Sequence, residues 1–172
     1  MDAQEATRNK WQRGADGESV VGKLIAKFPD DFYVINDIST GAGNLDHVVV
    51  GPTGVFVLDA KNWRGLVQAD DRGELLLNGK RLDKDNVAQY VRRIMGVKEK
   101  VCGNAPTVPY FRGLFVFTAA RVEAAWGKTG QVHCLREDQL WDYIVESKCG
   151  KTLNKAAVEK IAQAFLELAQ RE

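Results

Sequence analysis

Apolar residues at Val20, Val21, Leu24, Ile25 and Phe28 recur at helical spacing after Asp16, a candidate N-cap, and stop at Pro29; the pattern predicts one amphipathic helix. Residues 32 to 38 are β-branched and aromatic, and Gly41 and Gly43 follow, so a strand running into a loop is expected. Residues 45 to 61 (LDHVVVGPTGVFVLDAK) set two apolar runs on either side of Gly51-Pro52-Thr53-Gly54, which reads as a hairpin. A smaller hairpin is expected over 66 to 78 around Asp71-Arg72-Gly73. A helix from about Lys84 to Val101 carries Val87, Tyr90, Val91, Ile94 and Val101 on one stripe. The continuous apolar run 113 to 118 reads as a strand buried on both faces, and a short strand is expected near Val132 to Leu135. A helix start at Arg136-Glu137-Asp138 and a last helix over about 152–170, with Leu153, Val158, Ile161, Phe165 and Leu168, complete the chain. This order predicts an α/β fold, a mixed sheet flanked by helices, with residues 1–13 as an N-terminal segment and 14–172 as a single domain.

Length agrees with one domain, since 172 residues fall within the usual domain range and a chain of this size buries roughly 70% of its unfolded surface without a disulfide or metal scaffold. The 45% hydrophobic and 27% charged residues exclude disorder, collagen and coiled coil. Cys102, Cys134 and Cys149 form an odd set without C-x-x-C spacing, which points to buried, reduced thiols in a cytoplasmic protein. No apolar run reaches the roughly 20 residues of a membrane span, and the first residues lack the apolar stretch of a signal peptide. The apolar stripe of the last helix could serve the core, a second copy or a partner protein. With 24 Lys+Arg against 23 Asp+Glu, the net charge of +1 creates no global pull toward polyanions.

Resolved along the chain, that neutrality disappears. Residues 30 to 71 hold seven acids against Lys61 and Arg64, whereas residues 80 to 100 hold seven bases against Asp83, Asp85 and Glu99. Asp46 and Asp59 lie inside the two most apolar strands, where ionisable residues are rarely buried unless paired or bound to metal. Alternation places Val55, Val57, Asp59 and Lys61 on one strand face. If Pro52 and Thr53 form a two-residue loop, Asp46 stands directly opposite Asp59, with Cα atoms about 5 Å apart, close enough for both carboxylates to share one cation. A three-residue loop with Gly54 at the bulge position sends the aspartates to opposite faces instead. Glu18, beside the Val21 and Ile25 stripe, is a third acid aimed toward the sheet. Such carboxylates suit a hard cation, Mg²⁺ or Mn²⁺, better than zinc.

The segments Gly14-Ala15-Asp16-Gly17-Glu18, Asn36-Asp37-Ile38, Leu45 to Gly54 and Asp59-Ala60-Lys61-Asn62-Trp63-Arg64-Gly65 together resemble the NERD domain, a nuclease-related family grouped with the PD-(D/E)XK nucleases. The resemblance is dense from Gly14 to Gly65 and looser through Gln89 and the strand at Leu114 to Thr118. It implies a restriction-endonuclease-like α/β fold with a mixed central sheet. It also implies a D…(D/E)-x-K core of Asp46, Asp59 and Lys61, with Glu18 as auxiliary acid and Gln89 matching a helix glutamine by position. Asp59 stands where the family usually has Glu.

The function so implied is metal-dependent phosphodiester hydrolysis, with DNA favoured as partner. Asp46, Asp59, Glu18 and the carbonyl of Ala60 would hold the cation, and Lys61 would orient or help deprotonate the attacking water. Lys84, Arg92 and Arg93 on the basic helix are candidate phosphate contacts, and Trp63 could stack on a base; a solvated helix face and a packed tryptophan are the plain structural readings of the same residues. The alternative is a nucleic-acid- or protein-binding module of the same fold without turnover. A hydrolase built on His or Cys finds little support, because His47 and His133 are the only histidines and neither has a visible nucleophile partner. His47 alternates away from Asp46 and reads as structural.

Overall fold

The computed structural model describes residues 20–41, 43–82, 86–103, 109–123, 132–147 and 150–169. Its main sheet takes the order β1 (Tyr33–Thr40), β2 (Gly43–Gly51), β3 (Gly54–Lys61), β7 (Phe111–Phe117) and β9 (Val132–Arg136). The first three strands are antiparallel neighbours, whereas β3, β7 and β9 run parallel. A smaller sheet joins β4 (Gly65–Ala69) to β5 (Leu75–Leu77), β6 (Lys80–Arg81) and β8 (Ala120–Val122). Because β4 continues the chain from β3 and β8 continues it from β7, the small sheet extends the parallel pair beyond an interruption at 62–64 and 118–119. The expected mixed α/β architecture is what forms, with a mixed parallel and antiparallel sheet flanked by helices.

Each face of the sheet has its own core. On one, Ile35, Val48, Val50, Val55, Val57, Phe115 and Phe117 pack under α2 (Asn86–Cys102) and α3 (Lys155–Ala169). On the other, Val34, Val49, Phe56, Leu58, Leu114 and Val116 pack against α1 (Val20–Ile25) and the segment after β9. The apolar stripe of α3 (Val158, Ile161, Ala162, Phe165) is buried in the first core, so it is occupied within the chain. No helix among the described residues is long and apolar enough to cross a membrane.

The β2–β3 turn fixes the register on which the site depends. Gly51 pairs with Gly54, so the loop is the two-residue Pro52-Thr53. Two-residue hairpins ordinarily favour positive φ at the central positions, which proline cannot adopt. Here external contacts hold the turn: the Pro52 carbonyl accepts from the Thr152 and Leu153 N–H groups at 2.7 and 3.0 Å, and Thr53 Oγ donates to the Ile144 carbonyl at 2.6 Å. Gly51 is constrained by volume, because a Cβ there would lie 2.2 Å from Cδ1 of Phe32. Gly51→Ala is therefore expected to cost about 1–3 kcal/mol of stability in urea unfolding, the usual range for overpacking a core.

Two helix boundaries differ from expectation. Thr152 and Leu153 spend their N–H groups on the Pro52 turn, so the last helix starts at Lys155, with Asn154 Oδ1 accepting from the Ala157 N–H at 2.8 Å. The helix expected at Arg136 is a 3₁₀ turn (Glu137–Gln139) passing into a short π-helix (Trp141–Val145). Cys134 is buried but Cys102 only half so, and Cys149 lies outside the described residues.

Candidate active site

Asp46 and Asp59 meet on the face covered by α2. The β2–β3 ladder runs from Gly51–Gly54 to His47–Leu58, and one further step places Asp46 opposite Asp59. At that step the ladder gives way: the next N–H of β3 facing β2, that of Ala60, donates to Asp46 Oδ2 at 3.1 Å rather than to a β2 carbonyl. On its other edge β3 stays paired with β7, Asp59 beside Phe115 and Lys61 beside Phe117, and the Thr118 N–H donates to the Lys61 carbonyl at 3.1 Å. Asp59 and Lys61 are thus carried on a firmly paired strand. Asp46 stands where its neighbour begins to diverge.

Lys61 Nζ lies 2.9 Å from Asp59 Oδ2, with 20% of the lysine and 18% of the aspartate side chain exposed. The ammonium also sits 5.0 Å from the Phe115 ring centroid and 5.4 Å from that of Trp63, so aromatic faces confine it beside the carboxylate. Asp46 has no such cation among the described residues. Burial, followed by a shared hydrogen bond with Asp59 and repulsion from it, lifts its carboxyl to about 6, against the smaller lowering effect of the Ala60 N–H. Asp37 adds repulsion from β1, where it holds φ of +55° between the pairs Asn36–His47 and Ile38–Leu45. A non-glycine residue at positive φ inside a strand is strained, and the strain falls in the row of acids that crosses β1, β2 and β3.

The nuclease-related domain model, NERD, matches residues 13–118, well over half of the chain. The chain belongs to the NERD family. It is also 33% identical over 69 residues to an uncharacterized protein of Bacillus anthracis, an alignment covering 37% of this chain and 32% of that protein. The chain therefore spans about a third of that relative's length. No solved structure matches it.

Within this NERD domain the structure brings Asp46, Asp59 and Lys61 together. Glu18 and Lys84 lie outside the described residues. Gln89 is exposed on α2, and among the described residues it forms no hydrogen bond to either carboxylate. One turn later, Arg93 Nη1 donates to the Asn44 carbonyl at 3.1 Å with its guanidinium packed on Gly43; it braces the start of β2. Arg92 is exposed and, two positions from the inward Tyr90, projects from the opposite side of the helix. Trp63 is half-buried and packs on Phe117, ring centroids 5.4 Å apart, so packing is its observed role. His47 is buried and meets Asn36 Oδ1 through Nδ1 at 2.6 Å, a structural cross-strand pair.

Tyr90 is the residue that sequence reading placed only in the apolar stripe. Its ring lies 5.0 Å from that of Phe115, the cross-strand neighbour of Asp59, and both site carboxylates hold its hydroxyl in the neutral form alongside the dominant effect of burial. Polarity at the tip of an otherwise apolar stripe was the available signal.

The donor set fits a hard divalent cation. Among the described residues no group of three or more His, Cys, Asp or Glu could hold a metal. Mg²⁺, however, is commonly bound by one or two carboxylates, with water and substrate phosphate filling the remaining positions. Two acidic side chains forced together, of which only Asp59 has a paired ammonium among the described residues, leave a deficit of positive charge that such an ion would correct. The Ala60 carbonyl shares the β2-facing edge with the Ala60 N–H, because both groups of a strand residue point to the same side.

Proposed function

We propose that this NERD domain is a Mg²⁺- or Mn²⁺-dependent nuclease that hydrolyses phosphodiester bonds, with DNA as its substrate. The observation that carries this reading is the meeting of Asp46, Asp59 and Lys61 at the point where β2 leaves β3. Asp46 and Asp59 hold the cation with the Ala60 carbonyl, and Glu18 is a further candidate ligand. When bound, the cation polarises a phosphoryl oxygen and makes water a better nucleophile at neutral pH. Lys61, fixed by Asp59 and two aromatic faces, presents its ammonium to the attacking water or to the charge developing on the phosphate. Arg92 and Lys100, both exposed on α2, supply sequence-neutral phosphate contacts outside the carboxylate site.

A binding module without turnover is the second reading. Its support is that Asp59 is already neutralised by Lys61 and Asp46 already caps the Ala60 N–H. Plasmid and single-stranded DNA incubated with Mg²⁺, Mn²⁺ or EDTA separate the two. Cleavage that requires metal and stops with EDTA is the expected result. Retention of intact DNA under all three conditions would favour the binding module, and cleavage surviving EDTA would exclude the metal mechanism.

A further inference from the structure

Tyr90 is 3% exposed, and its hydroxyl has no hydrogen-bond partner among the described residues. Buried polar groups are nearly always paired, and one left unpaired costs about 1–3 kcal/mol. An unmet O–H at this place is informative because the surroundings hold it there. Gly113, on β7 beneath α2, leaves the space: a Cβ on it would come within 2.7 Å of Ile94 Cδ1 and 3.3 Å of Tyr90 Cε1. The Tyr90 ring therefore rests over Gly113 and against Phe115, and Phe115 is paired across the strands with Asp59 and capped by Lys61. Tyr90 thus stands on the helix side of the sheet face that carries both aspartates, with the Phe115 ring between its own ring and the Asp59 strand.

We propose that Tyr90 is a positioning residue of the carboxylate site, its hydroxyl donating a hydrogen bond to an oxygen held there with the cation, either water or a phosphate oxygen. The inference rests on the nuclease reading above and adds to it a neutral donor contributed by α2. A phenol suits this role. It donates without adding positive charge, so it does not compete with the cation for the carboxylates as a second lysine would, and its ring fills the core whether or not the hydroxyl is engaged. Lys61 and Tyr90 then approach the same oxygen shell from different elements, one charged and on β3, the other neutral and on α2.

The test is Tyr90→Phe, which keeps the ring. In EDTA the variant is expected to melt at or above the wild-type temperature, because the unmet hydroxyl is gone. Its affinity for Mn²⁺, read by calorimetry, should fall about tenfold, the scale on which groups supporting a metal's shell act. With DNA as substrate kcat should fall by a similar factor while KM is unchanged. As an independent readout, Mn²⁺ added to wild type should produce a near-ultraviolet tyrosine difference band that Tyr90→Phe lacks. Wild-type Mn²⁺ affinity and kcat in the variant, or an identical difference band, would overturn the proposal while leaving the nuclease reading in place. A wild-type protein that neither binds Mn²⁺ nor cleaves DNA would overturn the nuclease reading, and this inference with it.

Discussion

Lys61→Met is expected to leave the fold intact and to lower metal-dependent cleavage by about 10²- to 10⁴-fold, the range over which a positioned proton donor or acceptor acts. Methionine retains the apolar stem between Trp63 and Phe115, so packing near the end of β3 changes little. The ammonium 2.9 Å from Asp59 is lost. With that charge removed the site becomes more negative, so Mn²⁺ affinity should be retained or should rise while kcat collapses. This opposition of binding and rate distinguishes a lysine acting on the reaction from one that merely builds the site. Calorimetry for Mn²⁺ and single-turnover cleavage measure the two quantities, and a variant that cleaves at the wild-type rate would remove Lys61 from the mechanism.

The placement of Asp46, Asp59 and Lys61 in the candidate site was legible because it is encoded by spacing on adjacent strands. Alternation alone placed Asp59 and Lys61 on one face, and the choice between a two- and a three-residue loop decided whether Asp46 joined them. The sequence around the turn could not make that choice. The contacts that hold Pro52-Thr53 come from Thr152, Leu153 and Ile144, some 90 to 100 positions away in the chain. Tyr90 was hidden for a related reason. Its helical spacing with Ile94 marks it as core, which it is, and only the position of Phe115 and Asp59 beneath it gives its hydroxyl a chemical context. Arg93 reads as one more base on a basic helix until Gly43 and Asn44 are found under its guanidinium. The small sheet was half visible. The β4–β5 hairpin has a local signal in Asp70, whose Oδ1 accepts from the Arg72 and Glu74 N–H groups, whereas β6 and β8 are too short to carry a period and exist through pairing.

Asp46→Asn should abolish metal-dependent cleavage and at the same time stabilise the metal-free protein. The carboxyl of Asp46 is moved from its ordinary 3.8 to about 6 by burial and by Asp59. Such a displacement would correspond to about 3 kcal/mol in a dry interior. Asp46 is only half-buried, and screening by solvent reduces the expected gain to about 1 kcal/mol at pH 8. An asparagine Oδ1 still accepts from the Ala60 N–H, and its amide can donate to Asp59, so repulsion becomes a hydrogen bond. The sign with pH follows from the direction of the shift. A carboxyl whose folded value is raised holds its proton more tightly in the folded state, so Asp46 adds stability to wild type as pH falls from above 6 toward 4. His47 and His133 act oppositely: burial lowers both, so stability is lost as pH drops below the ordinary histidine range. Both histidines are present in wild type and variant alike, so the difference between the two denaturation curves isolates Asp46. In EDTA, Asp46→Asn should be the more stable protein at pH 8, with its advantage shrinking to nothing near pH 4. An advantage that is absent at pH 8, or that does not shrink on acidification, would show that Asp46 and Asp59 are not the strained, like-charged pair on which the proposal of cation binding rests.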